Sequence, residues 1–443
     1  MNTNENTINQ INDEINFTRK QQIAFDLMVN GSNIFVTGPG GCGKSFIINK
    51  FIDFYRRERE EENKRIYVTS TTGLSGLIIG GQTIHRFCGI GVGDKSIEEY
   101  EKKIRQNAKL KERYMKTKVL IIDEISMMDP DMFDKIDLLF RKVRKNLDTP
   151  FGGIQLILSG DLLQLPPVNA TGFVFDAFNW DDTINNIIYL NENKRQNEIN
   201  FQNILNKVRI GIIDQDVMSL LESRRGIEPN NEFGVKPSKL FSKRKRVKEI
   251  NDEELNRLIE TGETKNIFNA TYKFGNNVKE ENKEFMRQLI NEVTDIEDEI
   301  ILTTKCQVML RINIPDLKLA NGSRGIIIGF QHTTNNPIVQ FLDGRILEIA
   351  PHSWDISDNK DVVHKIQIPL QLAFAISFHK AQGSTLDYAI IDIGRDVFEY
   401  GQTYVALSRV KNIEGLFIAE NIDYTKIRAN PRVLTFYENL QQN

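Results

Sequence analysis

Residues 38 to 45 read GPGGCGKS, matching the spacing G-x-x-x-x-G-K-[ST] between an apolar run, NIFVT, and an amphipathic stretch, FIINKF. Glycines let the backbone curl until successive N–H groups face inward as a nest for anions. A helix that starts at Lys44 adds the positive end of its dipole. At this spacing Gly38, Pro39, Gly40, Gly41, Cys42 and Gly43 form the cradle, Lys44 reaches the β- and γ-phosphates, and Ser45 offers a hydroxyl to Mg²⁺. About 80 residues on, KVLIIDEISMM closes an apolar strand in Asp123-Glu124. Two carboxylates at the end of such a strand stand beside the phosphate loop. Asp123 suits the Mg²⁺ shell, and Glu124 suits the base or orienter of an attacking water. Phosphate loop and acidic pair together specify hydrolysis of a Mg²⁺-bound nucleoside triphosphate.

Such a loop needs a parallel sheet behind it. The runs NIFVT, RIYVT, KVLII, IQLIL and NIIYL recur through the first 190 residues with helix-length spacers, which predicts a parallel sheet covered on both faces. Met132, Ile136, Leu139, Val143 and Leu147 keep a helical period. From about 191 to 300 the pattern turns helical, in NFQNILNKVRIGII and DEELNRLIETGE. Residues 322 to 369 break into short strands, RGIIIGF, PIVQF, RILEIA and KIQIPL, separated by turn residues. That pattern predicts a small β-barrel insert. A mixed α/β segment follows.

The chain has 443 residues, enough for two to four domains. Apolar residues make up 40% and charged residues 26%, as in a globular protein, and no apolar run is long enough to span a membrane. The first 16 residues lack Lys and Arg and an apolar core, so they read as a disordered lead-in rather than an address signal. Cys42, Cys88 and Cys306 are too far apart for a disulfide framework or a zinc site, which points to a reducing compartment. A net charge of −3 carries no global signature of nucleic acid, although a local basic channel would suffice.

The order of further motifs is more specific. FTRKQQIAF precedes the phosphate loop, and VTSTTGLSGLIIGGQTIHRFCGIGVG follows it. Then come IIDEISM, MFDKIDLLFRKVRKNLDTPFGGIQLILSGDLLQLPPV, NKRQ, SFHKAQGSTLD and YVALSRV. This succession, from about residue 17 to 425, resembles the Pif1 family of superfamily 1B DNA helicases. The block before GDLLQLPPV is similar to the stretch that separates that family from RecD-like and Dda-like enzymes. The resemblance implies an α/β fold with two RecA-like P-loop NTPase motor domains, parallel sheets flanked by helices. Domain 1A would occupy 17–190, with a 1B wedge insert near 88–116. Domain 2A would occupy 191–310 and 370–443, interrupted by an SH3-like β-barrel, 2B, at 311–369.

The resemblance also assigns roles. Gln21 would read the adenine edge, its amide both donating and accepting. Gln164 would sense the γ-phosphate. Arg195 and Arg409 would reach the nucleotide from the second motor, where a planar guanidinium can clamp a phosphate bidentately. Gln382 and Gly383 would complete the nucleotide site. For DNA, Thr71, Thr72 and Gly73 would meet strand phosphates, His85 and Phe87 would offer stacking faces, and His379, Lys380 and Thr385 would act from the second motor. Phe87 fits a core position as well as a stacking one. KRKR at 243–246 fits either a solvated helix start or a backbone contact. Cys42 stands where the family commonly has Thr or Ala; it reads as a small filler or as an oxidisable thiol.

These features imply ATP and Mg²⁺ as cofactors and 5′→3′ movement. The partners implied are single-stranded DNA and single-strand/duplex junctions, met by a monomer with no membrane partner. A cytoplasmic, viral or phage setting is expected. A translocase that strips proteins with little unwinding fits the same motifs. An AAA+ remodeller or nucleotide kinase would not need SFHKAQGSTLD and YVALSRV, and a non-enzymatic strand binder would not need Lys44, Asp123, Glu124, Arg195 and Arg409 together.

Overall fold

The computed structural model describes residues 17–58, 65–71, 81–91, 93, 95–167, 172–191, 199–227, 235–294, 296–314, 317, 319, 321–358, 361–382 and 384–442. The lead-in at 1–16 lies outside them, as do Thr72, Gly73, Arg195 and Gly383. Among the described residues no helix is long and apolar enough to cross a membrane.

The first unit is built on a six-stranded sheet of β1 (Ile34–Thr37), β2 (Ile66–Ser70), β3 (Gln82–Thr83), β4 (Val119–Asp123), β5 (Gln155–Gly160) and β6 (Asn186–Tyr189). Its order is β3-β2-β4-β5-β1-β6, and every pairing is parallel. The central strands β1 and β4 are buried at every position, as their continuous apolar runs require when helices cover both faces. The five strand-like runs in the first 190 residues are therefore strands of one sheet. Parallel strands end at one edge, so β1 and β4 deliver the phosphate loop and Asp123 to the same side.

The helix Pro130–Arg144 realises the expected period, with Asp129 as N-cap and Pro130 in the first turn. It stops earlier than the pattern suggests. Lys145 turns left-handed at φ 58°, and Leu147 lies beyond the helix, 60% exposed. The stretch near 88–116 folds as two short helices, Ile97–Gln106 and Ala108–Lys116. Tyr100, Ile104, Leu110 and Tyr114 pack into the first unit's own core, so this stretch is an appendage without a separate core.

The second unit holds a four-stranded parallel sheet of β7 (Ser238–Phe241), β18 (Ala375–Ser377), β19 (Ala389–Ile391) and β20 (Leu416–Ile418), in the order β18-β7-β19-β20. Between β7 and β18 lies the insert, larger than the expected 311–369. Its core runs from Leu255 to Leu370 and takes in the helix Glu280–Thr294. Its strands begin with β8 (Asn266–Asn269), β9 (Thr271–Phe274) and β10 (Glu299–Leu302), inside the stretch whose pattern was read as helical. These pair respectively with β10, with β16 (Asp361–Gln367) and with β8. The remaining sheet is antiparallel, β14-β13-β12-β11-β17: Ile346–Glu348, Pro337–Phe341, Arg324–Phe330, Gln307–Leu310 and Leu370–Leu372.

The C-terminal helix, Pro431–Gln442, does not stay with the second unit. Val433 and Tyr437 belong to the first unit's core. The Tyr437 hydroxyl shares a 2.6 Å hydrogen bond with the Thr37 hydroxyl at the end of β1 and accepts from the Leu162 N–H.

Candidate nucleotide site and nucleic-acid interface

The loop after β1 bends through Gly38, Gly41 and Gly43, all at positive φ, and runs directly into the helix Lys44–Glu58. Gly43 has φ +90°, and a Cβ there would fall 2.5 Å from the Gln21 side-chain nitrogen. Glycine is thus required twice over, for conformation and for close approach. Thr18 and Gln21 form a reciprocal capping box at the start of the helix Arg19–Val29. The Gln21 amide nitrogen then donates to the Cys42 carbonyl at 3.2 Å. Gln21 is therefore a buried brace behind the loop, holding it by its backbone. Lys44 Nζ donates to the carbonyls of Gly38 and Pro39 at 2.8 and 3.0 Å, so the ammonium sits within the curl of the loop. Ser45 is exposed at the helix start.

Cys42 is 1% exposed and packs with Ala24, Ile47 and Leu190 in an apolar cluster. The filler role fits this placement. An oxidant-accessible thiol does not, because the sulfur lacks the exposure that such chemistry needs.

Asp123 ends β4 and accepts from the Glu124 N–H at 2.9 Å. Glu124 adopts φ 53° and ψ 41°, a left-handed conformation that costs a non-glycine residue energy and that recurs where function demands it. Burial pushes both carboxyls above the ordinary carboxylate range. The Asp123 charge adds to the rise at Glu124, and the Lys44 charge pulls both back down.

The second unit closes on this edge. Gln382 donates to the Glu124 carboxylate at 3.3 Å. Arg409 is 2% exposed, with Nε on the Val405 carbonyl and Nη2 on the Ser408 hydroxyl. A Cβ built on Gly40 would lie 3.7 Å from Arg409 Nη2 and 3.8 Å from Gln164 Nε2. The structure therefore brings Lys44, Asp123, Glu124, Gln164, Gln382 and Arg409 to one cleft. Lys44 opens a helix and Asp123 ends a strand, so both are placed by rigid elements rather than by free loops.

Three participants carry no signal in the motif types alone. Asp161, in GDLLQLPPV, meets Arg209 from the helix Ile199–Arg209 across the cleft. Gly401, at φ +73°, lets the chain approach so closely that a Cβ would fall 2.5 Å from the Leu163 carbonyl. Tyr404, in YVALSRV, accepts from the Gly40 N–H at 2.9 Å. Each depends on a partner distant in sequence.

The residues expected to meet DNA fall into separate places. Thr71 and His85 line a cavity of ≈ 380 Å³ with Met127, Met132, Lys135 and Pro167 on the first unit. Thr71 also donates to the Glu124 carbonyl at 2.7 Å, tying this surface to the acidic pair. Burial holds the His85 imidazole below its ordinary range, favouring the neutral ring. Phe87 is not there. It is fully buried, 5.0 Å from the Tyr67 ring and 6.3 Å from the Phe140 ring, and so is a core residue rather than a stacking platform. The short helix Ile84–Cys88 turns Phe87 inward, away from His85.

On the second unit, Lys380 lines a ≈ 500 Å³ cavity with Arg244 and Lys248. Of KRKR, Lys243 pairs with Asp396 and Arg246 with Glu249, while Arg244 faces the cavity. His379 is half-buried beside Arg244, and burial first, then that charge, lowers its pKa. Thr385 lines a third cavity, of ≈ 440 Å³, with Arg324, Arg345 and Lys411.

Among the described residues no group of three or more His, Cys, Asp or Glu side chains could hold a metal ion.

Residues 11–218 match the family model described as PIF1-like helicase. An uncharacterised protein, 030L, of invertebrate iridescent virus 6 is 36% identical, over 98% of this chain and 96% of its own length. The ATP-dependent DNA helicase PIF1 of Xenopus laevis is 35% identical over 97% of this chain, which spans 65% of the frog protein. The crystal structure of Pif1 helicase from Candida albicans superposes with a TM-score of 0.80 at 33% identity, covering 96% of this chain and all of that one.

Proposed function

Because the chain belongs to the PIF1-like helicase family, we propose that it is an ATP-dependent DNA helicase moving 5′→3′ along single-stranded DNA. The observation that carries this reading is the cross-cleft contact of Gln382 with Glu124, with Arg409 and Gln164 standing over Gly40. Groups from both units meet where the γ-phosphate of ATP is cradled by the loop from Gly38 to Ser45. Hydrolysis is then coupled to the relative position of the two units.

Lys44 holds the β- and γ-phosphates, and Ser45 with Asp123 would hold Mg²⁺, whose charge neutralises the phosphate oxygens. Glu124 orients the attacking water and receives its proton; Gln382 fixes that carboxylate. Arg409, and Arg195 by its motif, stabilise the charge that spreads over the transferred phosphoryl. The first unit acts as domain 1A, the second as 2A, and the barrel as 2B. The strand runs past Thr71 and His85 on 1A and past His379, Lys380 and Arg244 on 2A. Thr71, bonded to the Glu124 carbonyl, connects grip to hydrolysis. The enzyme works as a monomer on a single-strand/duplex junction.

Polarity is the sharpest test. Duplexes with a 5′ tail, with a 3′ tail and with blunt ends are incubated with ATP and Mg²⁺ at several salt concentrations. The 5′-tailed duplex should open and the others should not, with activity falling steeply as salt rises because the contacts are mostly to phosphate. Opening of the 3′-tailed duplex alone would refute the direction. Absence of ATPase stimulation by single-stranded DNA would refute the function.

A further inference from the structure

The Tyr404 hydroxyl is an unassigned feature of the cleft. Tyr404 lies on the short helix Gln402–Leu407 of the second unit, is 3% exposed, and accepts the Gly40 N–H of the first unit at 2.9 Å. Gly40 is a point of close approach in the cleft. A Cβ built there would stand 3.6 Å from the Tyr404 hydroxyl, 3.7 Å from Arg409 Nη2 and 3.8 Å from Gln164 Nε2. One backbone atom group of the phosphate loop therefore faces the hydroxyl, the arginine and the sensor glutamine together.

We infer that Tyr404 is a positioning residue for ATP hydrolysis, its hydroxyl setting the second unit against the Gly40 N–H so that Arg409 lies over the γ-phosphate site. The inference rests on the ATPase reading above and adds the element that fixes the register of the two units. Three observations support it. Tyr404 and Arg409 share one rigid turn, since Arg409 Nε bonds the carbonyl of Val405, the residue after Tyr404. A guanidinium on a flexible stem needs such a datum if it is to meet a phosphoryl group within a few tenths of an ångström. The approach itself is built in, because Gly401 at the start of this helix comes so near the Leu163 and Gln164 carbonyls that only glycine fits. Finally, the hydroxyl and the N–H are buried and satisfy one another across the cleft, and both turn to water when it opens, which makes the bond a term in closure rather than in folding of either unit.

Tyr404→Phe removes the acceptor and keeps the ring. Steady-state ATPase at saturating oligothymidylate is compared with wild type, together with amide exchange in the peptide spanning Gly38 to Gly43 and thermal melting. A loss used only when the cleft is closed appears in kcat. The variant should turn over about tenfold more slowly, with KM for ATP within about twofold, because an unpaired buried group corresponds to about that factor. Exchange at the loop should quicken while melting stays unchanged. Wild-type kcat in the variant, or a raised KM at unchanged kcat, overturns the inference, as does unaltered loop exchange. Lack of DNA-stimulated ATPase in the wild type would instead refute the function on which it rests.

Discussion

Asp161 and Arg209 form a bidentate ion pair buried between the two units, with Nη2 2.8 Å from Oδ1 and Nε 3.0 Å from Oδ2. The carboxylate is fully buried and the guanidinium 4% exposed. The third guanidinium nitrogen donates to the Tyr189 hydroxyl at 2.9 Å, and the Tyr437 ring lies 5.1 Å from the guanidinium carbon. Asp161 also accepts from the Leu163 N–H, so the pair shapes the turn that presents Gln164.

Breaking this pair from one side should be costly. Asp161→Asn leaves a buried cation uncompensated and should lower stability by about 3–5 kcal/mol, read by denaturant unfolding. The double change Asp161→Leu with Arg209→Met should recover part of that loss. Asp161's carboxyl is held below the usual carboxylate range, the Arg209 charge overcoming the penalty of burial. A depressed carboxyl stabilises the fold above its unfolded pKa and loses that contribution as pH falls through its folded pKa. Wild-type stability should therefore drop below about pH 4 in an Asp161-dependent manner.

Lys44→Ala should abolish ATP hydrolysis and unwinding, because it removes the ammonium from the phosphate cradle. Binding of a fluorescent oligonucleotide should persist, since the cavities holding His85 and Lys380 are elsewhere. Substantial DNA-stimulated hydrolysis by the variant would contradict the site.

Arg409→Ala should reduce kcat by about 10³-fold with little effect on KM for ATP, as expected of a charge used mainly in the transition state. Weakened ATP binding at normal turnover would make Arg409 a ground-state ligand instead.

His85 and Phe87, two residues apart, should separate DNA binding from stability. Phe87→Ala should cost about 3–5 kcal/mol in unfolding free energy, the range for emptying a buried aromatic site. His85→Ala should leave stability nearly unchanged and weaken single-strand binding by about tenfold, within the range of one lost base–aromatic contact. The reverse pattern would put the stacking face back on Phe87.

Within the barrel, Lys365 is fully buried and reaches Asn291 at 2.8 Å and Asp298 at 3.0 Å. Asp298's pKa is lowered to about 2, Tyr272, Arg287 and Lys365 outweighing partial burial. Asp298→Asn should destabilise the insert by about 1–3 kcal/mol, an amount limited by the exposure of the carboxylate. Melting followed at Trp354 should register it.

The phosphate loop, the acidic strand end and the arginine-bearing motif could be read directly from the chain. Phosphate binding demands contiguous glycines, a strand before them and a helix after, so the requirement is written locally. Asp161 with Arg209 and Thr37 with Tyr437 could not be read that way. Each partner is ordinary in its own segment, and only topology brings the two together. Phe87 shows the same limit at short range: in a helix of five residues two steps of rotation separate a cavity wall at His85 from the core. The early strands of the barrel, Asn266–Asn269 and Thr271–Phe274, are short and flanked by helical patterns. The pairing that makes them strands comes from residues some 30 to 90 positions later.

The return of the C-terminal helix to the first unit has a mechanical consequence. The chain passes between the units once after β6 and again before Pro431. Near the second passage a Cβ on Gly211 would come 3.0 Å from the Ala429 nitrogen, and the ring of Tyr437 lies 5.4 Å from that of Tyr189. A close contact of this kind between two units acts as a fulcrum when one turns against the other. Displacement grows in proportion to distance from the fulcrum, so an angular change too small to disturb the Asp161–Arg209 pair becomes a longer stroke at residues further from it.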